Sequence, residues 1–363
     1  MLKKSSGRNL KVLALEPYFG GSHRSFLDGL RTSLPFDFEC MTLPARKWKW
    51  RMRLSAPYYA EQLKQSGKRY DRILCSTFLD VAAFRGLAPE WVRQVPVLTY
   101  FHENQFMYPV QIDHERDFHF ALTNVTTALA SDRIAFNSIH NLKTFTAGIK
   151  KLMKSSYDLK LKDPVKEITS KAVIIHPGMN FSDIDNAPDP VRKGPPVILW
   201  NHRWEHDKNP DLFFKTLFDL DKKGIDFKLI VLGESFKERP PVFEKAQKVL
   251  ANKVMHFGYI KSVGDYVKML KQGDIVVSTA DHEFFGMAVI EAVRAGCRPL
   301  LPGRLSYPQL FPATYLYSER NFKSRLKELI LKGNRLEPEL AKKMTEPYSW
   351  EALVAEYSSW ISG

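Results

Sequence analysis

Two glutamates with a glycine between them carry the first recognisable chemistry in this chain. In STADHEFFGMAVIEAVRAGCRP (278–299), Glu283 and Glu291 have seven residues between them. The apolar run DIVVS (274–278) reads as a buried parallel strand, and the small residues from about 286 to 295 read as a helix closed by Gly296. Glu283 then falls in the loop before the helix, and Glu291 about one and a half turns inside it. Phe285, Gly286, Met287 and Ala288 would place free backbone N–H groups at the helix start. Such a start carries partial positive charge and suits a diphosphate. Gly286 and Ala288 leave room for a ligand to approach the backbone. The pattern fits a nucleotide sugar, with N–H groups on phosphate, one carboxylate on the sugar and one on ribose hydroxyls. A plain strand–turn–helix with two surface glutamates is the alternative reading.

Other residues could serve the same chemistry. In NHRWEHDKNP (201–210), Arg203 and Lys208 lie after a strand and before a helix, where two cations can clamp a diphosphate. The strand PVLTYF (96–101) ends in His102, Glu103 and Asn104, and RIAF (133–136) ends at Asn137. Polar residues just after buried parallel strands sit at the carboxyl edge of a sheet, where ligands bind. Strand, Gly-Gly turn and helix in EPYFGGSHRS (16–25) form the arrangement that brings backbone close to phosphate or sugar, and a plain tight turn is the more common explanation of it. In PARKWKWRMRLSAPYY (44–59), Arg46, Lys47, Lys49, Arg51 and Arg53 interleave with Trp48 and Trp50. Basic residues supply phosphate contacts and exposed aromatics supply stacking surfaces for bases. A strand with one buried face, or a membrane-surface segment with interfacial Trp, would show the same alternation.

The elements that must position these residues alternate strand and helix throughout, which indicates α/β architecture. Strands are expected at 11–15, 70–76, 96–101, 133–136, 172–175, 197–200, 227–232, 254–257, 274–278 and 314–317, with helices at 25–34, 118–130 and 210–223. The Lys-rich stretch 149–171 reads as a mobile basic surface. The Asp-, Asn- and Pro-rich stretch 180–196 reads as an interdomain linker. The chain has 363 residues, enough for two domains with separate cores. Its formal charge of +14 is uneven: residues 1–180 hold 27 Lys and Arg against 16 Asp and Glu, the remainder 27 against 24. A basic domain beside a near-neutral one suggests a polyanionic acceptor, RNA or an anionic membrane surface. Three widely spaced cysteines, Cys40, Cys75 and Cys297, suggest a reducing, cytoplasmic setting. Apolar runs fall short of the roughly 20 residues that span a bilayer, and stable membrane association is not expected.

The motif E-FFGMAVI-E resembles the two-glutamate motif of retaining glycosyltransferases of family 4, which have the GT-B fold of two facing Rossmann-like domains. The spacing of Arg203 and Lys208 matches the Arg…Lys pair of that family. Four segments narrow the likeness: EPYFGGSHRSF, ARKWKWRMR, FHENQFMYP, and NHRWEHDKNP with ADHEFFGMAVIEAV. As a set they look like the tRNA-queuosine mannosyltransferases. The resemblance implies transfer of mannose from GDP-mannose to queuosine in a tRNA anticodon loop, with retention at the sugar carbon. It implies an N-terminal acceptor domain (1–180), a nucleotide-sugar domain (181–337) and C-terminal helices (338–363) returning to the first. In that frame His102 and Glu283 would be catalytic. Gly20, Gly21, Arg203, Lys208, Phe285–Ala288 and Glu291 would bind the donor. Ser22, His23, residues 46–51, Arg53, Glu103, Asn104 and Asn137 would face the acceptor. With no Asp-x-Asp motif near these residues, no metal or other cofactor is expected. A mannosyltransferase acting on a lipid acceptor, and a catalytically silent tRNA-binding protein with the same fold, remain open at this point.

Overall fold

The computed structural model describes residues 9–107, 118–235, 239–333 and 335–363. Tyr108 and Pro109 of the FHENQFMYP motif lie outside the described residues. The chain divides into two compact units, Met1–Met179 with Trp350–Gly363, and Asn180–Ser349.

The first unit runs β1 (Lys11–Phe19), α1 (Gly21–Ser33), β2 (Asp37–Pro44), α2 (Trp48–Ser66), β3 (Arg72–Ser76), α3 (Val81–Leu87), β4 (Val97–Phe101), α4 (Phe118–Ala130), β5 (Arg133–Phe136), α5 (Ile139–Ser155), α6 (Pro164–Ser170) and β6 (Ala172–Ile174). Its six strands pair in parallel in the order β2-β1-β3-β4-β5-β6. Central strands such as RILCS and VLTYF are almost wholly buried, as expected where helices cover both faces. Strand order reverses between β1 and β3, which opens a crevice at their carboxyl ends.

The second unit adds α7 (Ser182–Asn186), β7 (Val197–Asn201), α8 (Pro210–Lys222), β8 (Lys228–Leu232), α9 (Val242–Val249), β9 (Val254–Gly258), α10 (Val263–Gln272), β10 (Ile275–Val277), α11 (Met287–Arg294), β11 (Arg298–Pro302), α12 (Tyr307–Leu310), β12 (Leu316–Tyr317), α13 (Phe322–Lys332) and α14 (Pro338–Thr345). The order β12-β11-β10-β7-β8-β9 is again wholly parallel, and its reversal falls between β7 and β10. The core here is aromatic: Trp204 stacks on Phe243 at 4.5 Å, with Trp200, Phe213 and Phe214 around them.

Three expectations need correction. The stretch 149–171 is not a loose basic surface: α5 and α6 cover most of it, with Ile149 and Ile168 in the core. In the stretch 44–59, Pro44 ends β2 and the residues from Trp48 on form the start of α2, so the alternative of a strand with one buried face falls away. Of the C-terminal helices only α15 (Trp350–Ser362) belongs to the first unit. Helix α14 stays in the second, where Arg294 joins Asp185 (2.6 and 2.7 Å) to Glu346 (2.8 Å) beside it.

Arginine side chains fix the end of α15. Arg72 donates to the carbonyls of Ile361 (3.0 Å) and Ser362 (2.7 Å), and Arg133 to that of Trp360 (2.8 Å). These carbonyls lack intrahelical partners, so cations at the helix end satisfy them and oppose the dipole. At the other end Trp350 lies against Gly29 and Gly178, and a Cβ at either would overlap its ring. Gly29→Ala is therefore expected to destabilise the first unit by about 1–3 kcal/mol, read as a lower urea midpoint with Trp fluorescence as probe.

Candidate active site

A polar cluster falls at the reversal point of each sheet, and each is built within one unit. In the first, Glu16 near the end of β1 and Glu103 just after β4 flank His23 in the first turn of α1. His23 Nδ1 lies 3.0 Å from Glu16 Oε2, and Nε2 lies 3.2 Å from Glu103 Oε2. Glu16 Oε1 accepts from Ser76 Oγ (3.0 Å) and the Tyr18 N–H (2.8 Å), while Glu103 Oε1 accepts from Thr77 Oγ1 (3.1 Å). Burial alone would lower the pKa of His23, but the two carboxylates outweigh it and raise the value to about 10. His23 is therefore an imidazolium held between two carboxylates.

His102 packs beside it, ring centroids 4.1 Å apart, with Phe26 and Tyr100 on its other sides. Burial, aided by the charge on His23, holds His102 well below the usual histidine pKa. It is neutral at pH 7 and can accept a proton or hydrogen bond. Ligand atoms of Glu16, His23 and His102 all lie within 4.8 Å of one another. The donor set does not suit a metal, because both nitrogens of His23 are directed at carboxylates and its ring is charged.

Gly20 caps α1 with extended backbone, and a Cβ there would overlap that of Ala45. Gly21, at φ +51°, and Ser22 are exposed. Asn104 and Asn137, expected to face the acceptor, are committed to the scaffold. Asn104 Nδ2 donates to Asn141 Oδ1 (2.9 Å) and Thr144 Oγ1 (3.0 Å). Asn137 Nδ2 donates to the His102 carbonyl (2.6 Å), and its Oδ1 accepts from Asn141 (3.0 Å). Asn137 thus positions the backbone of His102 and is not available to a ligand.

Helix α2 sorts the basic–aromatic stretch by face. Trp48 is half-buried against Phe120 (5.1 Å) in a cluster with Met52 and Phe78, so it is no free stacking surface. Trp50 is exposed, as are Arg46, Lys47, Lys49 and Arg53. Arg51 is half-buried, with its Nε on the Pro44 carbonyl (3.3 Å).

In the second unit the loops after β7 and β10 interlock. Thr279 Oγ1 donates to the Lys208 carbonyl (2.9 Å), and the Asp281 N–H to the Asp207 carbonyl (2.9 Å). Lys208 is buried, its Nζ at 2.7 Å from the His282 carbonyl, 3.2 Å from Asp207 and 3.4 Å from Glu283. Burial opposes ionisation of Glu283, yet Lys208, with His202 and His282, holds its pKa below the usual range. Burial and Lys208 push His202 down to about 4. Arg203 is half exposed and pairs with Glu205 at 3.0 Å.

Helix α11 starts at Gly286, in the left-handed region at φ +99°, with no side-chain cap. Its internal bonds begin with the Val289 and Ile290 N–H groups on the Gly286 carbonyl, so those of Met287 and Ala288 precede the ladder. Phe285 differs from expectation. Its N–H turns onto Glu283 Oε1 (3.5 Å), its carbonyl accepts from Ser306 (2.9 Å), and its ring packs on Tyr348. It fastens the loop. Glu291 Oε2 accepts from Tyr266 (2.6 Å), whose hydroxyl also accepts from Asn201 (2.8 Å). Burial raises the pKa of Glu291, and the Tyr266 bond offsets part of that.

Sequence reasoning missed Glu16, Ser76 and Thr77 in the first unit, and Asp207, Tyr266 and the His282 carbonyl in the second. Glu16 had a signal: it is the one charge within the apolar β1 run after Lys11.

Residues 11–179 match the family model of the tRNA-queuosine alpha-mannosyltransferase N-terminal region, and residues 182–302 that of glycosyl transferases group 1. The tRNA-queuosine alpha-mannosyltransferase of Drosophila melanogaster is 37% identical over 324 residues, covering 85% of this chain and 84% of its own. Among solved structures, the catalytic domain of starch synthase IV from Arabidopsis thaliana superposes with a TM-score of 0.74 at 12% identity, covering 97% of this chain and 99% of its own. Sucrose-phosphate synthase from Thermosynechococcus elongatus gives 0.69 at 14%, covering 96% and 98%. At such identities these two speak to fold alone.

Proposed function

The chain belongs to the tRNA-queuosine alpha-mannosyltransferase family, and from that premise we propose that it moves mannose from GDP-mannose to queuosine in a tRNA anticodon loop, with retention at the sugar carbon. It is a glycosyltransferase with the two Rossmann-like units of the GT-B fold. The transfer reading is carried by one observation: an uncapped helix start with Lys208, Glu283 and Glu291 grouped around it at the reversal point of the second sheet. The acceptor follows from what the Drosophila relative is named for, and the exposed bases and Trp50 of α2 support an RNA partner.

The chemistry is largely electrostatic. As the bond between sugar and diphosphate breaks, negative charge grows on the leaving oxygens. Lys208, Arg203 and the N–H groups of Met287 and Ala288 meet that charge. Glu283 orients the sugar, and its contact with Lys208 keeps it ionised. Glu291 takes the ribose hydroxyls. In the first unit neutral His102 accepts from a hydroxyl of the sugar or acceptor, and Glu103 presents a carboxylate beside it. With the diphosphate charge met by these groups, the reading includes no metal ion. A tRNA acceptor and three free cysteines fit the cytoplasm, and among the described residues no helix is long and apolar enough to cross a membrane.

The test is direct. Purified protein, queuosine-containing tRNA and GDP-mannose are incubated, and the RNA is digested and its nucleosides weighed. A nucleoside heavier than queuosine by one hexose is the expected result. No shift with GDP-mannose or any other nucleotide sugar would end the tRNA reading and leave transfer to a lipid, tested with the same donors on membrane extracts.

A further inference from the structure

Resting on the RNA reading above, we propose that a pocket between β2 and α2 receives an unstacked nucleobase of the tRNA, apart from the residues assigned to transfer. The pocket has a volume of about 440 Å³ and is lined by Met41 and Thr42 of β2 and by Tyr58, Tyr59, Gln62 and Gln65 of α2, among others. Its size falls in the range of small-molecule sites, roughly 300–1,000 Å³.

The lining selects the class of ligand. It holds no charged side chain, so a phosphate has no counter-charge inside it. The two glutamine amides each offer donors and an acceptor, each hydroxyl offers one donor and an acceptor, and the edge of a nucleobase presents the same mixture. Tyr59 is 1% exposed, and its hydroxyl has no hydrogen-bond partner among the described residues. A buried hydroxyl in that state is unfavourable, and a bond to a ligand would require the Tyr59 side chain to turn toward the pocket. Tyr58 is 45% exposed at the mouth and offers a ring face for stacking.

The surroundings select the polymer. Trp50 (64% exposed) and Leu54 (53%) lie eight and four residues before Tyr58, so the three form one stripe along the outer face of α2. Exposed Arg46, Lys47, Lys49 and Arg53 flank the upper part of that stripe. A strand of RNA following the helix would set its phosphates on the cations and its bases on the stripe and in the pocket. Thr42 on β2 is in register with Glu16 on β1, whose carboxylate turns to the α1 side of the sheet, so the pocket on the α2 side is separate from the His23 cluster.

The experiment measures tRNA affinity of the full chain at several salt concentrations, for wild type, Tyr58→Ala/Gln62→Ala and Tyr58→Phe. The double variant is expected to bind roughly tenfold more weakly, the loss of about one stacked base. Its salt dependence should match wild type, since no phosphate contact is removed. Tyr58→Phe, which keeps the ring, should bind within about twofold of wild type. Thermal melts confirm that each variant is folded. Ultraviolet cross-linking of tRNA to wild type should place adducts on the 41–42 or 58–66 peptides. Unchanged affinity in the double variant, or adducts only elsewhere, would overturn the pocket while leaving the RNA reading intact. A wild type that shows no salt-sensitive tRNA binding would overturn both.

Discussion

Lys208→Met is expected to lower kcat for sugar transfer by at least about a hundredfold, and to weaken the fold as well. The two effects have different origins. Loss of a preorganised donor from a site where charge develops costs about 10²–10³ in kcat. Lys208 also sits between Asp207 and Glu283, with its Nζ on the His282 carbonyl. Its removal leaves two neighbouring carboxylates without their shared cation. Breaking a buried pair from one side costs about 3–5 kcal/mol, far more than the pair contributes over an apolar replacement. Urea unfolding of Lys208→Met should show that deficit, and Lys208→Met/Glu283→Gln should recover part of it by removing one of the stranded charges. The recovered fold should not recover turnover, because neither the leaving diphosphate nor the sugar has its partner. A folded Lys208→Met protein with kcat within about threefold of wild type would remove Lys208 from the leaving-group role.

The two segments that meet at the start of α11 were legible because the residues of each are close in sequence. Glu283, Gly286 and Glu291 fall within nine residues, and Arg203 and Lys208 share one loop, so strand, turn and helix determine their meeting. The same holds for the central strands, whose Val, Ile and Leu runs report burial on both faces. Strand β2 left no such trace. As an edge strand it is half exposed along its length, and DFECMTLP lacks a continuous apolar run. Helix α2 was hidden by its Trp–Lys alternation. Its actual logic is helical: Met52, Ala56 and Leu63 turn inward while Trp50, Leu54 and Tyr58 turn out. The Glu16–His23–Glu103 network was harder still. It joins one strand, one helix and the end of another strand, and only the β1-β3-β4 order brings them together. Asn104 and Asn137 show the converse: polar residues at a strand end can be internal struts, and only their partners reveal it.

The second large effect concerns His23 and has a sign that can be worked out. In the unfolded chain a histidine loses its proton near pH 6.5. In the fold, Glu16 and Glu103 overcome the effect of burial and hold the proton on His23 up to about 10. Below pH 6.5 both states are protonated, and the whole gain from the charged contacts is present. As pH rises past 6.5 the unfolded state releases its proton while the folded state keeps it. That difference favours unfolding more with each step, and the contribution is lost as pH reaches the folded value. His23→Gln removes the imidazolium and leaves Glu16 and Glu103 facing an uncharged amide, so it is expected to be less stable than wild type by about 3–5 kcal/mol near pH 6.5. The gap should narrow steadily toward pH 10. Taking the difference between the two proteins at each pH cancels the groups that titrate in both. Urea unfolding at pH 6.5, 8, 9 and 10 reads it directly. A gap that stays constant across that range would mean that His23 is not held as a cation. Neutral His102 would then lose the neighbouring charge that keeps protons off it, and its part in transfer would have to be sought in its shape and hydrogen bonding alone.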